Sequence, residues 1–374
     1  MVSLRVLIVH PYMCLYGGAE LVIVKLANYL TKKGIDNAIL TLILSSEIRN
    51  NLDGSSIILP KEKLASPRNF ITTALMLRKY FSKVYKTFDV INVHNFPAEL
   101  LAFGCAKPFI WMCNEPPTLY FGDSLVESIA RTMVMKIDRY VVNRYVKAVV
   151  VADEFNAKRF EKLYGIKPVI NYYGIDYEFF SKGNANRARK MFNLNKDDFI
   201  LLQVGMITPL KNQMESVKTL EKLKNKIEDV KLILAGQGNN EYERMIRRYV
   251  QHHKLEENVI FTGHLQREII RDLYKACNVA LYPIKSQGGW LSPFEALCAG
   301  APIVVSRMIT SADIIRKNNL GIVTNNFVNA ILDIYKNQKY YRYLAKKAGL
   351  WVKKNLSWDK FCEKMVRIFE NFSD

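Results

Sequence analysis

The first half of the chain alternates short apolar runs with amphipathic stretches. The run LRVLIVH is followed by a pattern that predicts a helix over about 19–33, and the apolar run NAILTLIL comes soon after it. Strand-like runs separated by helix-length segments predict βαβ units and a mainly parallel sheet. Later runs of the same kind are FDVINVH, PFIWMC and KAVVVA. We therefore predict an α/β, doubly wound (Rossmann-like) domain over residues 1–180.

The same alternation starts again after a polar, basic stretch, for which we predict a linker at 181–197. A second Rossmann-like domain is predicted over 198–355, with a helix near 213–227. Ligands of open α/β sheets bind beyond the carboxyl ends of the strands, so the crevice between the two domains is the expected site. The strand-like runs of this half are FILLQVG, VKLILAG, NVIFTG, VALYPI and PIVVS.

Composition narrows the class of protein. A chain of 374 residues with 49% hydrophobic content is too long for one ordinary core and suits about two packed domains. The 54 Lys and Arg against 35 Asp and Glu give a net charge of +19, which favours an anionic partner: nucleic acid, anionic lipid or a phosphorylated substrate. The six cysteines form no C-x-x-C pair, which indicates reduced thiols rather than a metal site or disulfide framework.

The apolar run near the N-terminus predicts a strand rather than a signal peptide. Arg5 is the one early base, and the run ends at His10. No uninterrupted apolar run approaches the roughly 18 residues of a membrane span. We therefore expect a cytoplasmic protein.

Two turns carry candidate anion ligands. Gly17 and Gly18 directly precede the first helix, where glycine admits close backbone approach and free N–H groups attract anions. Lys211 follows Pro209 just before another helix and is suited to a phosphate. A simple tight turn and a solvated lysine are the structural alternatives. Gly236 and Gly238 form only a partial dinucleotide fingerprint without its third glycine, so we interpret them as a turn rather than an NAD site.

The stretch SQGGWLSPFEALCAGAPIVVS combines a flexible backbone, a helix start and a carboxylate. Pro293 suits a first helical turn, whose free N–H groups are suited to a diphosphate. Glu295 is either a ligand for ribose hydroxyls or an acid stabilised by the helix dipole, and the residues alone leave both open.

Taken together, these motifs resemble the GT-B glycosyltransferases of the large retaining group called family 4. The family's E-x7-E motif matches at Gln287 and Glu295, and PFEALCAGAPIVVS agrees with the segment around its second acid. The wider resemblance includes GGAE, NYYGIDYEFF, VGMITPLKNQ, ILAGQG and LSWDKFCEKMVRIFE. It implies two Rossmann-like domains facing each other across a cleft, with a helix in 356–374 crossing back to the first domain.

The resemblance also implies roles for individual residues. Glu295 would bind the ribose of a nucleotide sugar, while Lys211 would neutralise its diphosphate and assist its departure. Gly17 and Gly18 would make room for phosphates or sugar. The remaining implied donor-binding positions are Gly205, Gly236, His264, Leu265, Trp290, Leu291 and Ser292.

Three positions depart from the family pattern. Met206 stands where the family has an arginine, which removes one cation from the leaving group. Gln287 replaces the first acid of E-x7-E and keeps hydrogen bonding without charge. Asn114 stands where the family has a histidine that faces the reacting sugar. Unlike histidine, asparagine cannot titrate. Glu115 and His94 are the nearest polar candidates on the acceptor or sugar side, and His94 is as readily a buried structural residue.

We therefore expect a retaining hexosyltransferase that uses a UDP- or GDP-sugar and no cofactor. The sequence has no D-x-D motif, so we expect no metal, and catalysis would depend on Lys211, Glu295, Gln287 and Asn114. The expected acceptor is a lipid-linked glycan, glycolipid or surface polysaccharide or glycoprotein precursor.

Segments 68–86 and 131–151 suit helices on an anionic membrane, or ordinary helices packed on the sheet.

Three other classes of protein stay open. One is a catalytically weak or inactive relative that binds sugar nucleotides or glycans, and another is a GT-B epimerase. The third, a nucleic-acid-binding protein, lacks any accompanying recognition motif, so we expect no nucleic acid.

Overall fold

The computed structural model describes residues 4–14, 17–61, 69–114, 125–238, 241–285 and 288–373, with the side chains of 125–131 left out. The chain divides into two compact units, one formed by 1–173 with 358–374 and the other by 174–357. Elements are numbered along the chain.

The first unit is built on a parallel sheet in the order β3-β2-β1-β4-β5-β6-β7. Its central strands are aliphatic and buried on both faces, as expected for a parallel sheet covered by helices. Parallel pairing brings the carboxyl ends of these strands to one edge. The strands are β1 Arg5–Val9, β2 Asp36–Leu40, β3 Ser56–Ile58, β4 Val90–His94, β5 Phe109–Met112, β6 Ala148–Val151 and β7 Val169–Ile170.

The helices of the first unit include the C-terminal one, as predicted. This helix packs on the first helix and is also fixed by Asn171, whose side chain donates to the carbonyl of Phe361 at 3.0 Å. Short 3₁₀ helices occupy Tyr85–Thr87 and Ala98–Ala102. The α-helices are α1 Gly18–Lys32, α2 Ser46–Arg49, α3 Phe70–Val84, α4 Leu125–Tyr145, α5 Glu154–Tyr164 and α15 Trp358–Glu370.

The second unit carries a parallel sheet in the order β10-β9-β8-β11-β12-β13. The strands are β8 Phe199–Val204, β9 Val230–Ala235, β10 Val259–Gly263, β11 Val279–Tyr282, β12 Ile303–Val305 and β13 Ile322–Val323. The helices are α6 Tyr177–Phe180, α7 Ala185–Met191, α8 Gln213–Leu223, α9 Glu241–His252, α10 Arg267–Ala276, α11 Leu291–Cys298, α12 Ala312–Lys317, α13 Phe327–Lys336 and α14 Gln338–Asn355. The two parallel sheets with their helices confirm the predicted two-domain α/β architecture.

The structure differs from the prediction at the segment 181–197. This segment holds α7, and the division between the units falls after Tyr173. Buried Asp272 on α10 accepts from the backbone N–H of Asn184 at 2.8 Å and pairs with the guanidinium of Arg187. These bonds make the polar stretch a docked part of the second unit rather than a linker.

All six cysteines are free thiols. Within the described ranges, no helix combines the length and the apolar character that crossing a membrane requires.

Candidate functional site

Neighbouring strand ends of the second sheet bring predicted donor-binding residues together. Gly205 follows β8, Gly236 follows β9 and His264 follows β10, while Pro283 follows β11. Because these four strands are adjacent and parallel, the turns that follow them lie along one edge of the sheet. This is the edge at which open α/β sheets bind ligands.

Gly205 and Gly236 are in close backbone contact. The N–H of Gly205 donates to the carbonyl of Ala235 at 2.9 Å, and a Cβ on Gly236 would overlap the carbonyl oxygen of Gly205. Gly205 itself has a φ of 143°, and apart from Gly205 and its two chain neighbours no atom of the described residues lies within 4 Å of the position that its Cβ would occupy. Bare backbone therefore borders open space at the end of β8, which suits close approach of a ligand.

The turn that carries Lys211 is held from two sides. Buried Gln203 on β8 donates to the carbonyl of Lys211 at 2.8 Å and accepts from the hydroxyl of Ser216 at 2.6 Å. Asn212 donates from its side chain to the carbonyl of Pro283 at 3.0 Å. The lysine is thus positioned beside the loop that leads to α11, although the two segments are about seventy residues apart in sequence.

That loop enters α11 through left-handed glycines. Gly288 and Gly289 have φ values of 70° and 80°, and a Cβ on Gly289 would collide with the side chain of Ile284. Trp290 at the N-cap is buried against Phe294, with ring centroids 5.1 Å apart, and supplies no capping side chain. The first-turn N–H groups, which include those of Leu291 and Ser292, therefore receive no N-cap side chain, and a helix start of this kind favours an anion.

Glu295 is partly buried on α11, beside a pair of buried tyrosines. The hydroxyl of Tyr274 lies 3.5 Å from its Oε2, and Tyr282 donates to the carbonyl of Ser292 at 2.9 Å. Burial raises the pKa of Glu295 to about 7, with Arg267 opposing and Asp176 adding to this shift. The carboxyl group thus titrates near neutral pH.

Arg267 and Asp176 are site residues that the sequence reasoning missed. Their side chains form an ion pair at 3.1 Å, and the guanidinium also lies over the ring of Phe179, 5.0 Å from its centroid. Asp176 belongs to the NYYGIDYEFF segment, but neither residue has a spacing to Glu295 that would mark it. His264 is exposed and Leu265 partly buried in the turn before α10, which begins at Arg267.

Met206 leaves an apolar side chain at the position where the resemblance expects a base. It is 60% exposed, and its carbonyl accepts from the side chain of Gln213 at 2.9 Å. Gln287 lies outside the described residues, so Glu295 is the half of the E-x7-E pattern that the structure places. Glu115 also lies outside them.

In the first unit, Gly17 and Gly18 begin α1 beside two histidines. Glu20 accepts from the N–H of Gly17 at 3.2 Å and lies 3.5 Å from His10 Nε2. His10 Nδ1 is 3.4 Å from the carbonyl of His94. Sequence reasoning missed this use of His10, which could have been suspected from its place at the end of β1.

His94 is fully buried at the end of β4. Its Nε2 lies 2.9 Å from the side-chain oxygen of Asn92, and burial, with a smaller contribution from His10, lowers its pKa to about 3. The ring is therefore neutral and enclosed, which favours the structural alternative over a role at the acceptor.

Asn114 follows β5 and is fixed at both ends of its amide. Its Nδ2 donates to the side-chain oxygen of Asn95 at 2.5 Å, and its Oδ1 accepts from the hydroxyl of Tyr173. The predicted site residue is thus held in one orientation by polar neighbours.

Two family models match the chain over nearly all of its length. The model described as Glycosyltransferase Family 4 matches residues 16–179, and the model described as Glycosyl transferases group 1 matches residues 184–351. An uncharacterized glycosyltransferase of Methanocaldococcus jannaschii is 20% identical to this chain, covering 95% of this chain and 94% of the relative.

Solved structures share the fold. The Anabaena protein Alr3699/HepE, in a complex with UDP and glucose, has a TM-score of 0.82 at 14% identity, covering 98% of this chain and 100% of the other. WaaG, a glycosyltransferase involved in lipopolysaccharide biosynthesis, has a TM-score of 0.77 at 17% identity, covering 97% and 99%. The family matches, the two parallel sheets and these likenesses lead to one conclusion: the chain belongs to the GT-B glycosyltransferases of the group 1 type.

Proposed function

We propose that the protein transfers a hexose-type sugar from UDP- or GDP-sugar to an acceptor hydroxyl, with retention at the anomeric carbon. The observation that carries the proposal is the connection of the Lys211 turn to the loop that enters α11 and leads to Glu295. A cation, uncapped N–H groups and a carboxyl group on adjacent turns match the diphosphate and ribose of such a donor. The Anabaena protein of the same fold was solved with UDP and glucose.

In this proposal the donor diphosphate lies on the first turn of α11 and beside Lys211, while Glu295 accepts hydrogen bonds from ribose hydroxyls. The bond between the anomeric carbon and the phosphate oxygen breaks, and negative charge develops on the departing diphosphate. The lysine and the backbone N–H groups stabilise that charge where a divalent ion would otherwise do so.

The acceptor hydroxyl attacks the face that the diphosphate leaves, and its proton passes to the departing phosphate oxygen. This route needs no histidine base, which suits a site with Asn114 in place of the family's histidine and an enclosed His94. The amides of Asn114 and Gln287 are proposed to hold sugar hydroxyls, since each can donate and accept.

For the acceptor we propose a lipid-linked glycan, a glycolipid or a surface polysaccharide or glycoprotein precursor, met at a membrane surface in the cytoplasm. The net charge of +19 supports an anionic surface. WaaG, which shares the fold, is involved in lipopolysaccharide biosynthesis.

The first experiment is a thermal unfolding series with UDP-, GDP-, ADP- and TDP-sugars, each with and without EDTA. A ligand that binds the native state alone raises the unfolding midpoint. We expect one UDP- or GDP-sugar to raise the unfolding midpoint by the same amount with and without EDTA. We also expect NMR of the product to show the same anomeric configuration as the donor. A shift that EDTA abolishes would contradict metal independence, and an inverted product would contradict retention.

A second candidate is a relative that binds sugar nucleotides but turns them over weakly or not at all. The exposed Met206 favours it, because the apolar side chain replaces one of two cations at the leaving group. Stabilisation by a donor without product from any acceptor or from water would select this alternative.

A further inference from the structure

One surface of the first unit joins three elements: α3 with the 3₁₀ turn that continues it, Phe103, and α4 from residue 132 onward. Arg78 on α3 donates to the carbonyls of Leu101 and Phe103 at 3.1 and 2.6 Å. The ring of Phe103 lies 5.5 Å from that of Tyr145 on α4. Phe103 therefore links the two helices, and we call this surface the α3–α4 face.

The α3–α4 face exposes large apolar side chains. Ile71 and Leu75 are one helical turn apart on α3, and Met133 and Ile137 have the same spacing on α4. With Phe103 and Tyr140, these side chains are between 52% and 66% exposed. Exposed apolar residues that cluster in this way mark an interaction surface, whereas single ones are normal.

All exposed charges of the α3–α4 face are positive. Residues 69–87 contain no acid, and the acid in 132–147, Asp138, is fully buried, as is Glu99 in the 3₁₀ helix between the two helices. No ion pair joins the exposed bases of this face to an acid among the described residues. These bases are Lys79, Lys83, Lys86, Lys136, Arg139, Arg144 and Lys147.

We propose that the α3–α4 face docks on an anionic lipid bilayer. Basic side chains are attracted to anionic headgroups, and large apolar side chains enter the boundary between headgroups and acyl chains. A nucleic acid would account for the bases but not for the exposed Leu75 and Ile137. The biological purpose of this docking rests on the proposed lipid-linked acceptor, whereas the docking itself is measured without turnover.

A second basic surface provides a matched comparison. Helix α14 exposes Tyr340, Tyr343 and Leu350 and also lacks acids, but part of its charge is already engaged. Lys353 pairs with Glu178 at 2.6 Å, and Arg342 donates to backbone carbonyls of the second unit. On the α3–α4 face, by contrast, Lys79 and Lys83 lie over the ring of Tyr80 and no described acid neutralises an exposed base, so we assign the docking to this face.

The test is flotation of the full chain with vesicles of phosphatidylcholine, alone or mixed with phosphatidylglycerol. The α3–α4 variant is Leu75→Ser/Phe103→Ser/Ile137→Ser, and the α14 variant is Tyr340→Ser/Tyr343→Ser/Leu350→Ser. We expect the wild type to bind the anionic vesicles alone, the α3–α4 variant to bind at least about tenfold more weakly, and the α14 variant to bind like the wild type. In the wild-type background, Lys79→Gln and Lys83→Gln should each weaken binding by about fivefold at low salt.

Circular dichroism and donor-induced stabilisation of each variant separate a docking defect from misfolding, because all substituted side chains are exposed. Absence of wild-type binding to the anionic vesicles would overturn the proposal, as would a greater loss in the α14 variant. Binding of single-stranded nucleic acid in place of vesicles would overturn it in favour of the other anionic partner. A protein that floats but is not stabilised by any sugar nucleotide would retain this inference and refute the proposed donor.

Discussion

The side-chain amide of Asn212 donates a hydrogen bond to the carbonyl of Pro283 at 3.0 Å. Asn212 directly follows Lys211 and has a φ of 55°, so its backbone adopts the left-handed conformation. Pro283 directly follows β11 and begins the loop that enters α11. This bond, together with the backbone hydrogen bond from Lys285 N–H to the carbonyl of Leu210 at 3.0 Å, connects the proposed phosphate cation with the proposed diphosphate and ribose segment.

Replacing Asn212 with glycine tests this connection, because glycine keeps the left-handed conformation and removes only the donor. We expect Asn212→Gly to lower kcat/KM by about fivefold, the effect of losing the roughly 1 kcal/mol that one hydrogen bond contributes to positioning. Asn319→Gly, at a φ of 52° away from these turns, is the control and should leave turnover unchanged. Equal effects of both substitutions in a transfer assay would assign the loss to general stability.

Lys211→Ala should lower kcat by about 10²-fold or more, because one cation that stabilises the departing diphosphate is removed. Lys211→Arg should recover part of the rate, since the charge returns with a different shape. Lys222→Ala, on the exposed part of α8, controls for the loss of any positive charge. Unchanged turnover in Lys211→Ala would disprove the role.

The sequence predicts the central strands well and the edge strands poorly. Strands β1, β4, β8 and β9 are long aliphatic runs whose burial on both faces leaves a clear pattern. The sequence analysis did not identify β3, β7 and β13, which contain two or three residues each and are only partly buried. Short strands are formed by pairing with a neighbour, so local sequence gives little warning of them.

The candidate site divides in the same way. The glycine turns and the start of α11 were identified because the backbone conformation at each of them requires particular residue types next to one another in the sequence. Arg267 and Asp176 were missed, since they approach Glu295 from α10 and from the start of α6 through tertiary packing alone. The burial of His94 likewise results from tertiary packing, which the residues next to it in the sequence do not determine.

Glu295 predicts a pH dependence for donor binding. Burial raises its pKa to about 7, so the carboxylate that would accept ribose hydroxyls forms as the pH rises through 7. The Kd for a sugar nucleotide, whose diphosphate diester does not titrate there, should be about tenfold lower at pH 8 than at pH 6. Calorimetry should show weaker binding and a flat profile for Glu295→Gln. A wild-type profile that is flat over this range would refute the assignment.

The first unit contains a pair of buried acids, Glu99 and Asp138. Glu99 and Asp138 are both fully buried, and Tyr164 donates its hydroxyl to Asp138. Burial raises the pKa of Asp138 to about 6 despite the bond from Tyr164, and burial together with the charge of Asp138 raises the pKa of Glu99. Since the folded state binds the proton of Asp138 more tightly than the unfolded state does, the stabilisation from this proton is full below about pH 4 and is lost as the pH rises through 6.

Asp138→Asn should therefore stabilise the protein at alkaline pH. The amide oxygen still accepts from Tyr164, while the charge that must otherwise be buried is removed. We expect the free energy of unfolding at pH 9 to rise by about 1–3 kcal/mol, with little change near pH 3, where both the folded and the unfolded state hold the proton. Asp272→Asn is the control with the opposite sign. Burial of Asp272 is outweighed by hydrogen bonds from Asn184 and two arginines, so the pKa of this carboxyl is lowered. Its replacement by a neutral amide should therefore destabilise the protein at neutral pH. Thermal unfolding of both variants across this pH range checks both signs, and a loss of stability in Asp138→Asn at pH 9 would show that the buried carboxylate is favourable.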